Sequence, residues 1–85
     1  MSSPIRITVR LFALMADRAG QREIPLSLRT SRPTVADALA VLHDLFPAIP
    51  WPTGTMLALN QSYTTAAAPL TDGDELAIIP PVSGG

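Results

Sequence analysis

Residues 5–12, IRITVRLF, alternate between apolar and polar positions: Ile5, Ile7, Val9 and Leu11 share one parity, and Arg6, Thr8, Arg10 and Phe12 share the other. A period of two predicts a strand with one face in a core. EIPLSL repeats the pattern, with Ile24, Leu26 and Leu28 on one face. Pro25 has no N–H to give a ladder, so this strand belongs at a sheet edge or a bulge. Between them, ALMADRAG reads as a short helical segment that Gly20 can close. The period then changes. In PTVADALAVLHDLFP, Val35, Leu39, Leu42 and Phe46 recur at helical spacing and predict the buried stripe of the main helix. Thr34 suits the N-cap, Asp37 three residues on completes a capping box, and Pro47 ends the helix. PAIPWPTGT is a loop, which Ile49 and Trp51 are expected to anchor to the body, so it is not a domain linker. MLALN is a short strand, Asn60 and Gln61 begin a turn, and YTTAAA stays open between strand and irregular chain. Asp72-Gly73 signals a turn before the strand Glu75–Ile79. One long helix after a strand pair, packed across a sheet, is an α+β arrangement.

Composition narrows the function. The 85 residues fit one domain. Charged residues are 15% of the chain and hydrophobic ones 47%, against about 25% charged in a typical soluble domain. A domain this small exposes some of its apolar material, and exposed apolar patches mark partners. The net charge of −1 argues against nucleic acid, which selects basic faces. MSSPIRITVR has no apolar signal core, and no run approaches the roughly 20 residues of a membrane span; a cytoplasmic protein without a membrane partner is expected. There is no Cys, hence no disulfide, persulfide or thiolate metal site. There is no Lys either, since all six basic residues are Arg, so no side-chain amine can accept an acyl group. Asp72 and Asp74 lack the twelve-residue calcium-loop pattern and read as turn chemistry, with no metal expected. His43 flanks the helical stripe as a solvated or half-packed residue. Arg6 and Arg10 read as a solvated strand face, with contact to an acidic partner surface as the alternative.

The sequence finishes on PPVSGG. Pro80 and Pro81 fix φ and stiffen the root of this segment. Gly84 and Gly85 have no side chain and pass where other residues cannot. An α-carboxyl group has a pKa near about 3.5, so that of Gly85 is ionised at neutral pH. Such an end is either a frayed terminus or a working carboxylate.

TVADAL at the helix start, ALNQ, the first strand ending in LFA, and above all PLTDGDELAIIPPVSGG resemble the MoaD/ThiS family, which includes the small sulfur-carrier subunit of molybdopterin synthase. The resemblance covers nearly the whole chain. It implies a ubiquitin-like β-grasp: one mixed sheet, one main helix packed across it and a flexible C-terminal tail, residues 80–85, on a single domain 1–85. It implies a chain that is not an enzyme on its own but the carrier subunit of a sulfurtransferase, with the catalytic pocket on a large partner subunit. The terminal carboxylate of Gly85 would be adenylated by an E1-like activating enzyme using ATP, converted to a thiocarboxylate with a sulfur donor protein, and then donate sulfur to cyclic pyranopterin monophosphate in molybdenum cofactor biosynthesis. No cofactor would be bound permanently. Pro80, Pro81, Val82 and Ser83 would lead Gly84 and Gly85 into the partner. Strand parity leaves two large apolar residues, Phe12 and Ile79, on the nominally wet face, with core packing as their alternative. Tyr63 matches an apolar contact position of the family and joins them as the expected docking patch. One departure stands out: Ala16 replaces a basic residue that members often carry, and Arg18 is the nearest cation. Three other functions fit the same features: a sulfur carrier for thiazole and thiamine or another product, a ubiquitin-like protein modifier, and a β-grasp interaction module without acyl chemistry.

Overall fold

Seven elements make up the computed structural model, which describes residues 4–81: β1 (Ile5–Leu11), α1 (Ala13–Ala19), β2 (Glu23–Leu28), α2 (Val35–Leu45), β3 (Met56–Leu59), β4 (Ser62–Tyr63) and β5 (Glu75–Ile79). The strands form one mixed sheet in the order β2-β1-β5-β3-β4. β1 and β5 run parallel, and the other three pairs are antiparallel. It is the α+β arrangement that the pattern predicts and the ubiquitin-like β-grasp that the resemblance implies. Pro25 sits on the edge strand β2, opposite Thr8, where its missing N–H costs no inner ladder bond.

Register decides which face is buried. Val9 lies opposite both Ile24 and Leu76, and Leu11 lies opposite Ile78. Because side chains alternate, this aligns the buried residues Ile7, Val9, Leu11, Ile24, Leu26, Leu28, Leu76 and Ile78 on one face. Helix α2 covers that face with Val35, Ala38 and Leu42, while Met15 of α1 and the loop residues Ile49 and Leu70 close the core around it. The predicted helical stripe shifts slightly. Leu39 and Phe46 are only partly buried, and Ala38 takes the central place. Ala38 shares that central line with Val35 and Leu42, and Leu39 and Phe46 flank it.

The start of α2 accounts for all of its first N–H groups. Asp37 Oδ2 accepts from Thr34 N at 2.8 Å and from Thr34 Oγ1 at 3.2 Å. Val35 N donates to Ala68 O and Ala36 N to Ala66 O, each at 2.9 Å, and Asp37 N donates to Thr34 O at 3.0 Å. The alanine run left open by the sequence is thus the segment whose carbonyls cap the helix, satisfying donors that a helix start otherwise orphans. Gly20, at φ 77°, closes α1 in the left-handed conformation, its N–H bonded to Ala16 O at 2.9 Å.

The proline-rich loop differs from expectation. Ile49 is buried, but Trp51 remains 39% exposed and does not anchor the loop. The turn holds itself: Pro52 O accepts from Thr55 N at 3.2 Å and from Thr55 Oγ1 at 2.6 Å. Flanking prolines and these bonds fix the backbone without the indole.

Candidate docking face

On the face of the sheet away from α2, register aligns one residue from every strand in a single row: Glu23, Arg10, Ala77, Ala58 and Tyr63. Two adjacent alanines in the middle of that row make a trough with taller walls. Ala58 is only 7% exposed yet lies outside the core cluster, as the floor of a concavity should. The concavity is about 300 Å³ and is lined by Arg10, Phe12, Ala58, Gln61, Tyr63, Glu75, Ala77 and Ile79.

The face is graded along the strands. One step toward the start of β1, Thr8 lies opposite Glu75. Asn60 joins them there, its N–H bonded to Glu75 O at 2.8 Å and its Oδ1 accepting from Glu75 N at 3.0 Å. One step the other way, Met56 lies opposite Ile79, and Phe12 follows Leu11 off the end of β1. The polar end therefore faces the Asp72-Gly73 turn, and the apolar end faces the continuation of β5 into Pro80 and Pro81.

Each expected patch residue has a definite place here. Phe12 is 40% exposed, Tyr63 74% exposed and Ile79 half-buried, and all three line the same concavity. Phe12 owes its position to a break in the backbone. It is extended at φ −132°, ψ 152°, and Ala13 after it adopts φ 51°, a left-handed conformation that costs a residue with a Cβ roughly 1–2 kcal/mol. Such strain is concentrated at functional sites. Pro80 is half-buried and Pro81 exposed. Val82, Ser83, Gly84 and Gly85 lie outside the described residues.

Arg10 is more than part of a solvated face. Its guanidinium meets Glu23 Oε1 at 3.1 Å and Glu75 Oε1 at 3.7 Å, one carboxylate from each neighbouring strand. All three groups are well exposed, so the stabilisation is small, about 0–1 kcal/mol per pair. The consequence is positional: the cation is held at the wall of the trough. Arg6 is exposed, and its main chain ties the turn to β1, its N–H donating to Asp72 Oδ1 at 2.8 Å and its carbonyl accepting from Gly73 N at 2.7 Å.

Asp74 is the one buried charged residue among those described, at 8% exposure. Its carboxylate accepts from Asn60 Nδ2 at 2.9 Å, Thr71 N at 2.8 Å and Thr71 Oγ1 at 3.0 Å. Burial pushes its pKa up, but the hydrogen bonds from Asn60 and Thr71 together outweigh that and hold it below its ordinary value of 3.8. Both aspartates thus serve the turn. Among the described residues no group of three or more His, Cys, Asp or Glu is arranged to hold a metal, and no helix is long and apolar enough to cross a membrane. His43 is exposed on α2.

Sequence reasoning missed Met56 and the alanine floor. Met56 is 47% exposed beside Ile79, but its partner follows only from the β3–β5 register, which a single sequence does not state. Ala16, where the resemblance implies a basic side chain, is buried on the inner side of α1, while Arg18 is exposed in the last turn. A larger groove of about 710 Å³ runs beside α1 and shares Arg10 and Phe12 with the trough. Its other walls include Asp17, Gln21, Arg22 and Glu23, so it is the more polar of the two and continues the same surface past Phe12.

Comparison with known proteins agrees with this architecture. The family model described as the ThiS family matches residues 9–85. The molybdopterin synthase sulfur carrier subunit of Arabidopsis thaliana is 39% identical over 85 residues, spanning 99% of this chain and 88% of that protein. SAMP1, a small archaeal modifier protein of Haloferax volcanii, superimposes with a TM-score of 0.83 at 30% identity, covering 94% of this chain and 99% of that one. A chain in the complex of subunits 1 and 2 of molybdopterin-converting factor from Helicobacter pylori superimposes with a TM-score of 0.67 at 23% identity, covering 95% and 100%. That last likeness is one of fold.

Proposed function

Because the chain belongs to the ThiS family, we propose that it is a sulfur carrier, the small subunit of a molybdopterin synthase, working through the carboxylate of Gly85. That carboxylate attacks the α-phosphate of ATP on an activating enzyme, forming an acyl adenylate and releasing pyrophosphate. Sulfide-level sulfur from a donor protein then displaces AMP and leaves a thiocarboxylate; in the pocket of a large subunit its sulfur bonds to cyclic pyranopterin monophosphate, and water cleaves the resulting thioester, leaving the sulfur on the pterin and restoring the Gly85 carboxylate. Splitting the transfer this way is covalent catalysis applied to a chain end. The chain supplies no Cys to compete for sulfur and no Lys to intercept the activated acyl group.

The observation that carries the reading is the graded outer face. Phe12, Tyr63 and Ile79 surround one concavity, and its apolar end lies where β5 continues into Pro80 and Pro81. A partner seated on that patch lies beside Pro80 and Pro81, the root of the segment that ends in Gly85. The carrier subunits at 39% identity support the choice of product. A cytoplasmic location, where ATP and an activating enzyme meet the chain, is part of the same proposal.

The test is ATP-dependent conversion of the purified chain, with activating enzyme and sulfur source, followed by mass spectrometry. The wild type is expected to gain a thiocarboxylate and to pass sulfur to the pterin. Deleting Gly85 sets the carboxylate back by up to roughly 3.5 Å, and a 1 Å misplacement can cost about 10²-fold, so transfer should collapse while folding is kept. Wild-type transfer by the deletion would overturn the mechanism. A protein-modifier role is the second reading, supported by the likeness to SAMP1. Amide-linked adducts on cellular proteins, in place of a thiocarboxylate pool, would favour it.

A further inference from the structure

The ladder between β3 and β5 runs antiparallel with Met56 opposite Ile79 and Leu57 opposite Ile78. Continued two residues outward, that register sets residue 54 opposite residue 81. Pro80 and Pro81 have no N–H to give the ladder, and the paired register ends at Met56 and Ile79. Yet the two chains stay together. A Cβ placed on Gly54 would lie 3.4 Å from Pro81 Cβ and 3.8 Å from its Cγ. Gly54 itself is left-handed, at φ 89°, inside the turn closed by Thr55 on Pro52. The turn is braced at its other end by Ile49, which is buried. Gly54 therefore presents a bare main chain to the face of Pro81, with room for no more than one methyl group between them.

We infer that Gly54 is a positioning residue for the C-terminal tail: the turn 52–55 is a buttress against Pro81 that sets the direction in which the chain leaves the sheet. This rests on the proposed role of Gly85 and extends it to a site remote in sequence. It also assigns a task to the proline-rich loop that Trp51 does not explain by anchoring.

The molecule supplies its own control. Gly73 is left-handed to the same degree, at φ 88°, but nothing lies within 4 Å of the place its Cβ would take. Asn tolerates left-handed backbone better than most residues. Gly54→Asn and Gly73→Asn thus impose a similar backbone cost, and only the first sets a side chain against Pro81. Both proteins are assayed with the activating enzyme and the large subunit for kcat and KM of thiocarboxylation and sulfur transfer, and for thermal stability. Gly54→Asn is expected to lose about tenfold in kcat, as a displacement of less than 1 Å would produce, with KM and affinity for the large subunit within twofold of wild type. Gly73→Asn should keep wild-type kcat at a similar Tm. Equal kcat for the two variants, whether both lowered or both unchanged, overturns the inference. If Gly54→Asn does not fold, Gly54→Ala, whose methyl would touch Pro81, is compared with Gly73→Ala, whose methyl would touch nothing: a lower kcat for Gly54→Ala alone supports the inference, and equal kcat overturns it. Absence of thiocarboxylation in the wild type would instead remove the carrier reading itself, which separates the two failures.

Discussion

At Asp74 one carboxylate holds two segments together, Asn60 from the β3–β4 turn and Thr71 from the turn before β5. Replacing the carboxylate by an amide removes the charge and leaves the Thr71 N–H, which donates to Oδ2, facing an NH2 group. Asp74→Asn should cost about 1–3 kcal/mol. The sign of its pH dependence follows from the pKa. A carboxyl group held below its ordinary value stabilises the native state while ionised. Its contribution is complete above that ordinary value of 3.8 and is lost as pH falls through the lower native pKa. Urea midpoints of wild type and Asp74→Asn should therefore differ at pH 7 and converge toward pH 2; an equal difference at both would refute the assignment. At this scale the sequence speaks unevenly. Phe12 and Ile79 are legible because an apolar residue on a polar parity is visible in any alternating strand. The network of Asp74 is not, since Asn60 and Asp74 meet only through the fold, and Trp51 misleads because size alone does not say whether a side chain or a hydrogen-bonded turn fixes a loop.

Among the elements, α2 is the most readable, and its boundaries follow from Thr34, Asp37 and Pro47. Its N-terminus depends on more than its own residues, because carbonyls 66 and 68 cap it from an alanine run with no periodicity to interpret. Asp37→Ala removes the acceptor of Thr34 N and should cost about 1 kcal/mol, a fall of about 4–8 °C in Tm for a domain of this size. Since the carbonyl caps remain, amide exchange at Val35 and Ala36 should stay slow in that variant; fast exchange there would mean that Asp37 alone secures the helix start. The strands β1, β2 and β5 are equally plain from period two. β4 is not, because two residues are too short to display a period.

For the whole molecule, the division between the core face and the proposed docking face can be set against itself. Val9→Asp buries an unpaired charge and should unfold the domain. Ile79→Asp, three strand positions along the neighbouring strand from Leu76 but on the outer face, should leave the Tm within a few degrees and abolish co-migration with the large subunit on size exclusion, where a stable complex buries about 800 Å² per partner. Unfolding of Ile79→Asp would put Ile79 in the core. The strand order has one more consequence. β5 is last in sequence among the strands but third of five in space, its two edges taken by β1 and β3. Without it, the pairs β2–β1 and β3–β4 share no ladder. β5 acts as a plug in a two-sided socket, and a separately made peptide spanning it is the piece that would convert two loose half-sheets into one molecule, so the domain lends itself to assembly from two fragments cut between β4 and β5.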